Sequence, residues 1–405
     1  MHILLIHQAF AALNEPGGTR HHELARHLAG RGHRVTIIAS PVSYLTGGAE
    51  AAAVAEEAGI IHLRARTYSA HHKSFAHRVL AFLSFMVSSF FIGLGVQEVD
   101  VVWGTSPPIF QGITAWLLAR LKGARFLFEV RDLWPAFAVA VGVLKNPLLI
   151  RAAEGLERFL YRRADRLMVN SPGFVSHVAA RAGREPAVIP NGADVSMFDP
   201  AADGAAFRVA HGLEDKFVAL YAGAHGLSND LGVVLNAARR LADAPYIAIV
   251  LLGDGKEKPV LIAAAQAMRL TNVHFLPPVP KEAMPEALAA ADCGIAILKP
   301  IEMYKTTYPN KVFDYMAAGR PLALAIDGVS RDVMEAAGAG LFAQPGDPAA
   351  LAAALRQLAA DPTAARHMGL AGRAYLEAHF DRAALAQEFE NLLLELQMGK
   401  QVNTL

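Results

Sequence analysis

Short apolar runs alternate with segments of helical spacing from one end of this chain to the other, and that alternation is what most restricts its fold. A strand buried on both faces reads as a continuous apolar run, and a covering helix reads as an apolar stripe of period 3.6. In the first half, MHILLI, VTIIAS, VDVVWG, RFLFEV and RLMVN have the first character, and 20–31 and 110–122 have the second. In the second half, FVALYAG, IAIVLLG, VHFLP, GIAIL and PLALAI read as strands, with helices expected near 232–242, 256–268, 283–291 and 349–360. This is the pattern of parallel sheets covered by helices. At 405 residues the chain exceeds one ordinary core. The expected class is therefore α/β, with two doubly wound sheets in series. A hinge is expected in VIPNGADVSMFDP (188–200), which is rich in Pro, Gly, Asn and Asp.

With 53% apolar and 19% charged residues the chain is a folded globular one, and a formal net charge of +1 gives no footprint for nucleic acid. The single cysteine, Cys293, stands before GIAIL and reads as part of a buried strand. One thiol forms no internal disulfide and no Cys-rich metal site, which fits a reducing cytoplasm. The MHILLI start has no basic region leading into a long apolar stretch, so no cleavable signal is expected. Nothing resembles a clustered Asp/His metal site, so no metal is expected.

One segment departs from the alternation. VLAFLSFMVSSFFIGLGV (79–96) is almost wholly apolar and sits at the lower length limit for a membrane span. It follows Arg64, Arg66, Lys73 and Arg78 with His62, His71, His72 and His77, and no acidic residue occurs from Ala58 to Gln97. Three readings stand: a buried core helix, a helix seated in a membrane surface beside a basic patch, and a true span. Strands of the same domain on both sides speak against a span, and the basic lead-in favours the membrane surface.

The chemistry-bearing motifs follow strands. YKTTYPNKVFDYMAAGRP (304–321) reads as a polar turn entering a short helix, with Pro309 at the turn or first helical position. Lys311, Val312, Phe313, Asp314, Tyr315 and Met316 continue as helix, and Gly319 stops it. The N–H groups opening such a helix suit a phosphate. Asp314, about a turn further in, is placed to accept from a ribose; an ordinary αβ unit with a solvated Asp is the alternative. EPGGTRHHE (15–23) opens a helix after the first strand, and Gly17 and Gly18 let backbone approach a ligand, or simply form a flexible loop. It is not GxGxxG, and its spacing does not support NAD.

GTSPP (104–108), with Ser106, and EVRDLWP (129–135) each follow a strand, and such strand ends converge on one crevice. Arg131 and Asp132 read either as phosphate or acceptor ligands or as a local ion pair. YAGAHG (221–226) and GDGKEK (253–258) offer small residues for close contact with a nucleotide, with His225 and Lys258 as side-chain candidates. A lone lysine at a helix start is otherwise solvated. Lys299 and Lys305 lie close enough in sequence to the main motif to neutralise a diphosphate without a metal.

Taken in order, PGGTRHHELARHLAGRGHRVTII, VIPNGADVSMF, YAGAHG, LLGDG, NKVFDYMAAGRP and GAGLFAQPGDPAALAAAL resemble glycosyltransferase family 4, with the two-Rossmann-domain GT-B fold, over nearly the whole chain. GTSPP, RDLWP and YKTTYPNKVFDYMAAGRP resemble the bacterial branch that adds N-acetylated deoxyhexosamines such as N-acetylfucosamine in O-antigen or capsule assembly. The resemblance implies two doubly wound Rossmann-like domains facing a central cleft. Residues 1–195 would bind the acceptor and carry a membrane-facing segment at 64–96. Residues 196–380 would bind the nucleotide-sugar, and 381–405 would be a helix crossing back to the first domain.

The implied donor is a UDP-sugar. Asp314 takes the place of the second Glu of the family's E-x7-E motif and would hold the ribose, while Thr306 falls where the first Glu stands. Backbone at Asn310, Lys311 and Val312 would receive the diphosphate, with Gly17 and Gly18 approaching the donor. The Arg and Lys usual after the first strand of the second domain are absent from AHGLSNDLG, leaving His225, Gly226, Lys258 and Lys305 for that work. The family's catalytic-region histidine has no clear counterpart here, and Asp132 stands near that position, so the expected catalytic set is Asp132, Lys305 and Asp314, and the acceptor set Ser106, Arg131 and Asp132. Transfer would be retaining and metal-independent, with no cofactor. The acceptor would be a saccharide on polyprenyl diphosphate, met by a cytoplasmic enzyme peripheral to the inner face of the membrane. The alternatives are a nucleotide-sugar 2-epimerase, which shares the fold, and a catalytically silent nucleotide-sugar-binding subunit. A periplasmic sugar-binding protein also has two α/β lobes but should carry a signal peptide.

Overall fold

The structure is a computed structural model that describes residues 1–42, 54–57, 59–68 and 75–402. Its chain divides into two units: Met1–Ala12 with Gly18–Pro190 and Ala383–Leu405, and Leu13–Gly17 with Asn191–Arg382.

The first unit is built on eight strands: β1 (His2–Ile6), β2 (Arg34–Ala39), β3 (Val54–Glu57), β4 (Ile60–Arg64), β5 (Val101–Ser106), β6 (Arg125–Val130), β7 (Arg166–Val169) and β8 (Ala187–Val188). Their order is β3-β4-β2-β1-β5-β6-β7-β8, parallel throughout except where β3 runs antiparallel on β4. The second unit has six parallel strands: β9 (Phe217–Ala222), β10 (Ile247–Leu252), β11 (Val273–Leu276), β12 (Cys293–Ile297), β13 (Leu322–Ala325) and β14 (Gly340–Phe342). Their order is β11-β10-β9-β12-β13-β14. Both are doubly wound, as the alternation of apolar runs requires. Every residue of β1, β5, β10, β12 and β13 is buried, because helices cover both faces.

Four strands have no counterpart among the apolar runs. β3 and β4 are short and carry charged residues, β8 has two residues, and β14 is Gly-Leu-Phe. Each is held by pairing to a stronger neighbour. On one face of the first sheet, Ile3, Leu5, Ile37, Trp103 and Leu127 pack with Leu385, Phe389 and Leu393 of the terminal helix (Arg382–Val402).

The strand order reverses at two places, between β1 and β5 and between β9 and β12. At such switch points the loops leaving the two strands part in opposite directions and open a crevice at the carboxyl ends. The fold thus provides two places for a ligand, one in each unit.

The apolar segment forms a helix, Phe75–Gly95. One face, with Ala81, Phe85 and Ser89, is buried, and Gly93 lets it close onto Leu118 of the helix Phe110–Lys122. Leu80, Leu83, Val87, Phe91 and Leu94 are exposed, Phe91 to 66%. Spacings of three and four place these five on one stripe. Only 22% of the stretch His77–Gly95 is buried, so the helix is not the core helix that one of the three readings required. Of the basic lead-in, His71, His72 and Lys73 lie outside the described residues, and Arg66 and Arg78 are exposed. His62 is a correction: it is buried against Phe10 and His22 and adds nothing to a surface patch.

Candidate functional site

In the second unit the switch point is built from backbone before side chains. Gly223, directly after β9, has φ +139°, and Gly253, directly after β10, has φ +149°. A Cβ on Gly253 would run into the Gly223 carbonyl, so these loops pack main chain against main chain and only glycine fits. The His225 N–H donates to the Asp254 carbonyl at 2.7 Å, closing the pair of loops.

His225 is wholly buried, and among the described residues neither ring nitrogen has a hydrogen-bond partner. Burial, with Lys258 and Lys311 nearby, lowers its pKa to about 4, so it is a neutral imidazole. Lys311 comes from the helix Asn310–Ala317, which Pro309 opens at ψ 132° and which gives way to Gly319 at φ +65°. Its Nζ lies 3.5 Å from the centroid of the Tyr221 ring, buried and without a hydrogen-bond partner. Burial alone pushes its pKa well below the usual lysine value. The Asn310 Oδ1 is likewise buried and unpartnered. Orphaned buried polar atoms are costly, and three residues carrying them beside one strand end mark a place prepared for a polar ligand. Val312 faces the core and its N–H already donates to the Pro309 carbonyl at 3.1 Å, a correction to its expected part in holding the diphosphate.

Asp314 accepts from Lys281 Nζ at 2.5 Å, and both side chains are largely buried. Lys281 opens a single 3-10 turn, Lys281–Ala283, after β11, with no local pattern to single it out, and sequence reasoning missed it. Lys258 donates to the carbonyls of Gly253 at 2.7 Å and Leu276 at 2.9 Å, tying the ends of β10 and β11 together. Its ammonium is thus engaged by main chain. Lys305 is half exposed and pairs with Glu302 at 2.9 Å and Asp327 at 3.7 Å. The Thr306 hydroxyl donates to the Met303 carbonyl at 2.6 Å. Gly226 precedes the turn Leu227–Asn229, and Gly17 is exposed with φ +156°.

In the first unit Ser106 ends β5 and is buried, and its carbonyl accepts from the Arg131 N–H at 3.1 Å. Arg131 also donates from Nη2 to the Pro107 carbonyl at 3.3 Å, while its Nε is buried without a partner. Burial raises the Asp132 pKa to about 6 against the opposing pull of Arg131. Gly18 is exposed just before the helix Arg20–Gly30.

Beside these lies a network that sequence reasoning passed over, although its members sit inside the quoted motifs. Glu129, wholly buried at the end of β6, accepts from Arg20 Nε at 3.0 Å, from Trp103 Nε1 at 3.1 Å and from His21 Nε2 at 2.7 Å. Burial opposes its ionisation, but His21 and Arg20 outweigh it and hold the carboxyl well below the usual range. Burial lowers the His21 pKa to about 4 in spite of Glu129, so His21 is neutral and donates from Nε2. His7, after β1, is buried with its ring 4.3 Å from that of His21. Arg20 reaches further, to the carbonyls of Ile189 at 2.7 Å and Pro190 at 2.6 Å. Only the fold brings Glu129 to the start of that helix.

Two family descriptions cover most of the chain in the expected order, a glycosyl transferase 4-like domain over residues 17–192 and glycosyl transferases group 1 over residues 216–361. The putative colanic acid biosynthesis glycosyl transferase WcaI of Escherichia coli is 27% identical over 387 residues, 91% of this chain and 94% of that one. Among solved structures, sucrose-phosphate synthase from Thermosynechococcus elongatus superposes with a TM-score of 0.79 at 20% identity, over 98% of this chain and 99% of that one. Anabaena HepE in complex with UDP and glucose gives 0.73 at 15% identity, over 98% and 100%. The chain belongs to glycosyltransferase family 4 and has the GT-B fold of two Rossmann-like domains. Its activity is that of a glycosyltransferase.

Proposed function

We propose that this glycosyltransferase moves an N-acetylated (deoxy)hexosamine from a UDP-sugar to a saccharide carried on polyprenyl diphosphate, with retention at the anomeric carbon and without a metal. The observation that carries the donor half is the set of buried, unpartnered groups beside β9: His225, Lys311 and Asn310. They stand at the opening of the helix Asn310–Ala317, whose free N–H groups favour an anion. A nucleoside diphosphate supplies the acceptors such groups lack. Asp314, about a turn deeper, takes the ribose hydroxyls. HepE, solved in complex with UDP and glucose, and WcaI, a putative colanic acid biosynthesis glycosyl transferase, support a nucleotide-sugar donor and a surface-polysaccharide pathway.

In this reading the acceptor hydroxyl attacks the anomeric carbon from the side the diphosphate is leaving. The new C–O bond forms as the bond to the β-phosphate breaks, and the hydroxyl proton passes to the departing phosphate oxygen. No side chain forms a covalent intermediate. The protein stabilises charge on the leaving diphosphate and holds the acceptor in line, with Arg131 and Asp132 on the acceptor side and Lys305 near the donor. Removing one contact made chiefly in the transition state would slow turnover by ~10²-fold.

The acceptor's lipid places the enzyme at the cytoplasmic face of the membrane. Leu80, Leu83, Val87, Phe91 and Leu94 support this reading, since they form one exposed apolar stripe beside exposed Arg78. Calorimetric titration with UDP, GDP, ADP and NAD, without metal, on wild type and Asp314→Ala tests the donor site. Selective UDP binding that the substitution weakens is expected; binding of NAD alone, or none, would overturn the reading.

A further inference from the structure

Lys311 is a buried amine without a counter-ion. Among the described residues no carboxylate pairs with it, and its Nζ makes no hydrogen bond. The groups facing this corner come from four elements. From β9 and its loop, the Tyr221 ring lies under the amine with its hydroxyl given to the Ala224 carbonyl, and His225 is neutral. After β10, the Asp254 carboxylate accepts from the Gly255 N–H at 2.8 Å. From the next helix, Lys258 adds positive charge near His225 and spends its own donors on Gly253 and Leu276. On the helix of Lys311 itself, Asp314 is held by Lys281. Asp314 is thus held by Lys281 and Asp254 by main chain, and burial acts on the Lys311 amine without an opposing charge. A desolvated ammonium with a ring face for company is expensive, and burial pushes the amine's pKa well below the usual lysine value.

A diphosphate at the start of this helix would reverse that balance, because a nearby dianion favours the charged amine. Resting on the donor site described above, we propose that the nucleoside diphosphate binds together with a proton, and that Lys311 takes up this proton. The amine is an unprotonated –NH₂ in the free protein and –NH₃⁺ in the complex, with the proton drawn from solvent. The leaving diphosphate then meets a cation already in place, and its release returns the proton.

Linkage gives the test its sign. Between the free and bound pKa values of the amine, affinity for UDP falls as pH rises, by up to ~10-fold per unit. The experiment is calorimetry of UDP binding between pH 7.5 and 9, in buffers of different ionisation heat, on the full chain without metal. Wild type is expected to take up a fraction of a proton approaching ~1. Lys311→Met is expected to bind more weakly with no uptake, and Lys311→Arg, permanently charged, to bind with no uptake; if the methionine variant fails to fold, the arginine variant alone decides. His225→Gln is expected to weaken binding yet keep the proton uptake per UDP bound, and uptake lost with it would overturn the assignment to Lys311. UDP binding to wild type without proton uptake would overturn the proposal and leave the donor site standing. Uptake that survives in Lys311→Arg would equally overturn it. No binding of UDP at all would remove the donor site and the proposal together.

Discussion

The Lys281 ammonium lies 2.5 Å from one oxygen of the Asp314 carboxylate, with 10% and 16% of the two side chains exposed. Asp314 stands in the second turn of its helix, and Lys281 fixes its direction from the 3-10 turn Lys281–Ala283 after β11. The pair is expected to act as one unit in donor recognition. Lys281→Met should raise the KM for the UDP-sugar by ~10-fold or more with a smaller change in kcat, since it unfixes a binding group without touching the departing phosphate. Asp314→Ala should weaken UDP binding at least as much. The double variant should cost little beyond the worse single one, and full additivity in a double-mutant cycle would sink the idea.

Asp132 carries a pH dependence of defined sign. Its folded pKa, about 6, lies above the ordinary 3.8 because burial disfavours the charged form. Its contribution is fully present below the unfolded pKa and is lost as pH rises through about 6, a loss of ~1–3 kcal/mol. Asp132→Asn should therefore melt higher than wild type at pH 7.5 and lose that advantage near pH 4. Thermal melts across the range decide it, and an advantage that does not vary with pH would count against the assignment. The same variant should lose transfer activity.

Glu129 is the opposite case. Its pKa is depressed, so its stabilisation is present above the ordinary carboxyl value and is lost only as pH falls through the lower folded one. Glu129→Ala leaves Arg20 and His21 facing each other in the interior and should destabilise the first unit by ~3–5 kcal/mol. Urea unfolding at pH 7 measures this; a loss below ~1 kcal/mol would mean the buried network relaxes around the gap.

The stripe on the helix Phe75–Gly95 predicts a partition experiment. Burying a large apolar side chain is worth about 1.5–3 kcal/mol, so Leu80→Ser, Val87→Ser and Phe91→Ser together should abolish cosedimentation with anionic vesicles. These side chains are exposed, and the melting temperature should hardly move. Wild-type protein that ignores such vesicles would refute membrane docking through this face.

Much of the fold was legible in advance because local chemistry dictates it. RFLFEV is β6 residue for residue, and the helix over 110–122 runs as its period indicated. Pro309 and Gly319 bound the helix Asn310–Ala317 for reasons of backbone geometry alone. The strands that escaped notice, β3, β4, β8 and β14, are those whose own side chains are too few or too polar to specify them. Asp314 could be singled out from its motif, but its partner Lys281 could not.

The sequence by itself determined two doubly wound sheets, the family, and the loops that leave the strand ends, since hydrophobic period and turn residues act over a few positions. Only the tertiary structure decided what those residues experience. It gave Lys258 to two carbonyls, Lys305 to two carboxylates, and Lys311 to a buried corner where, among the described residues, no carboxylate pairs with it. Three lysines with the same intrinsic chemistry thus acquire different roles, because desolvation and nearby charge, set by residues far off in the chain, determine whether an ammonium is spent, screened or waiting for a ligand.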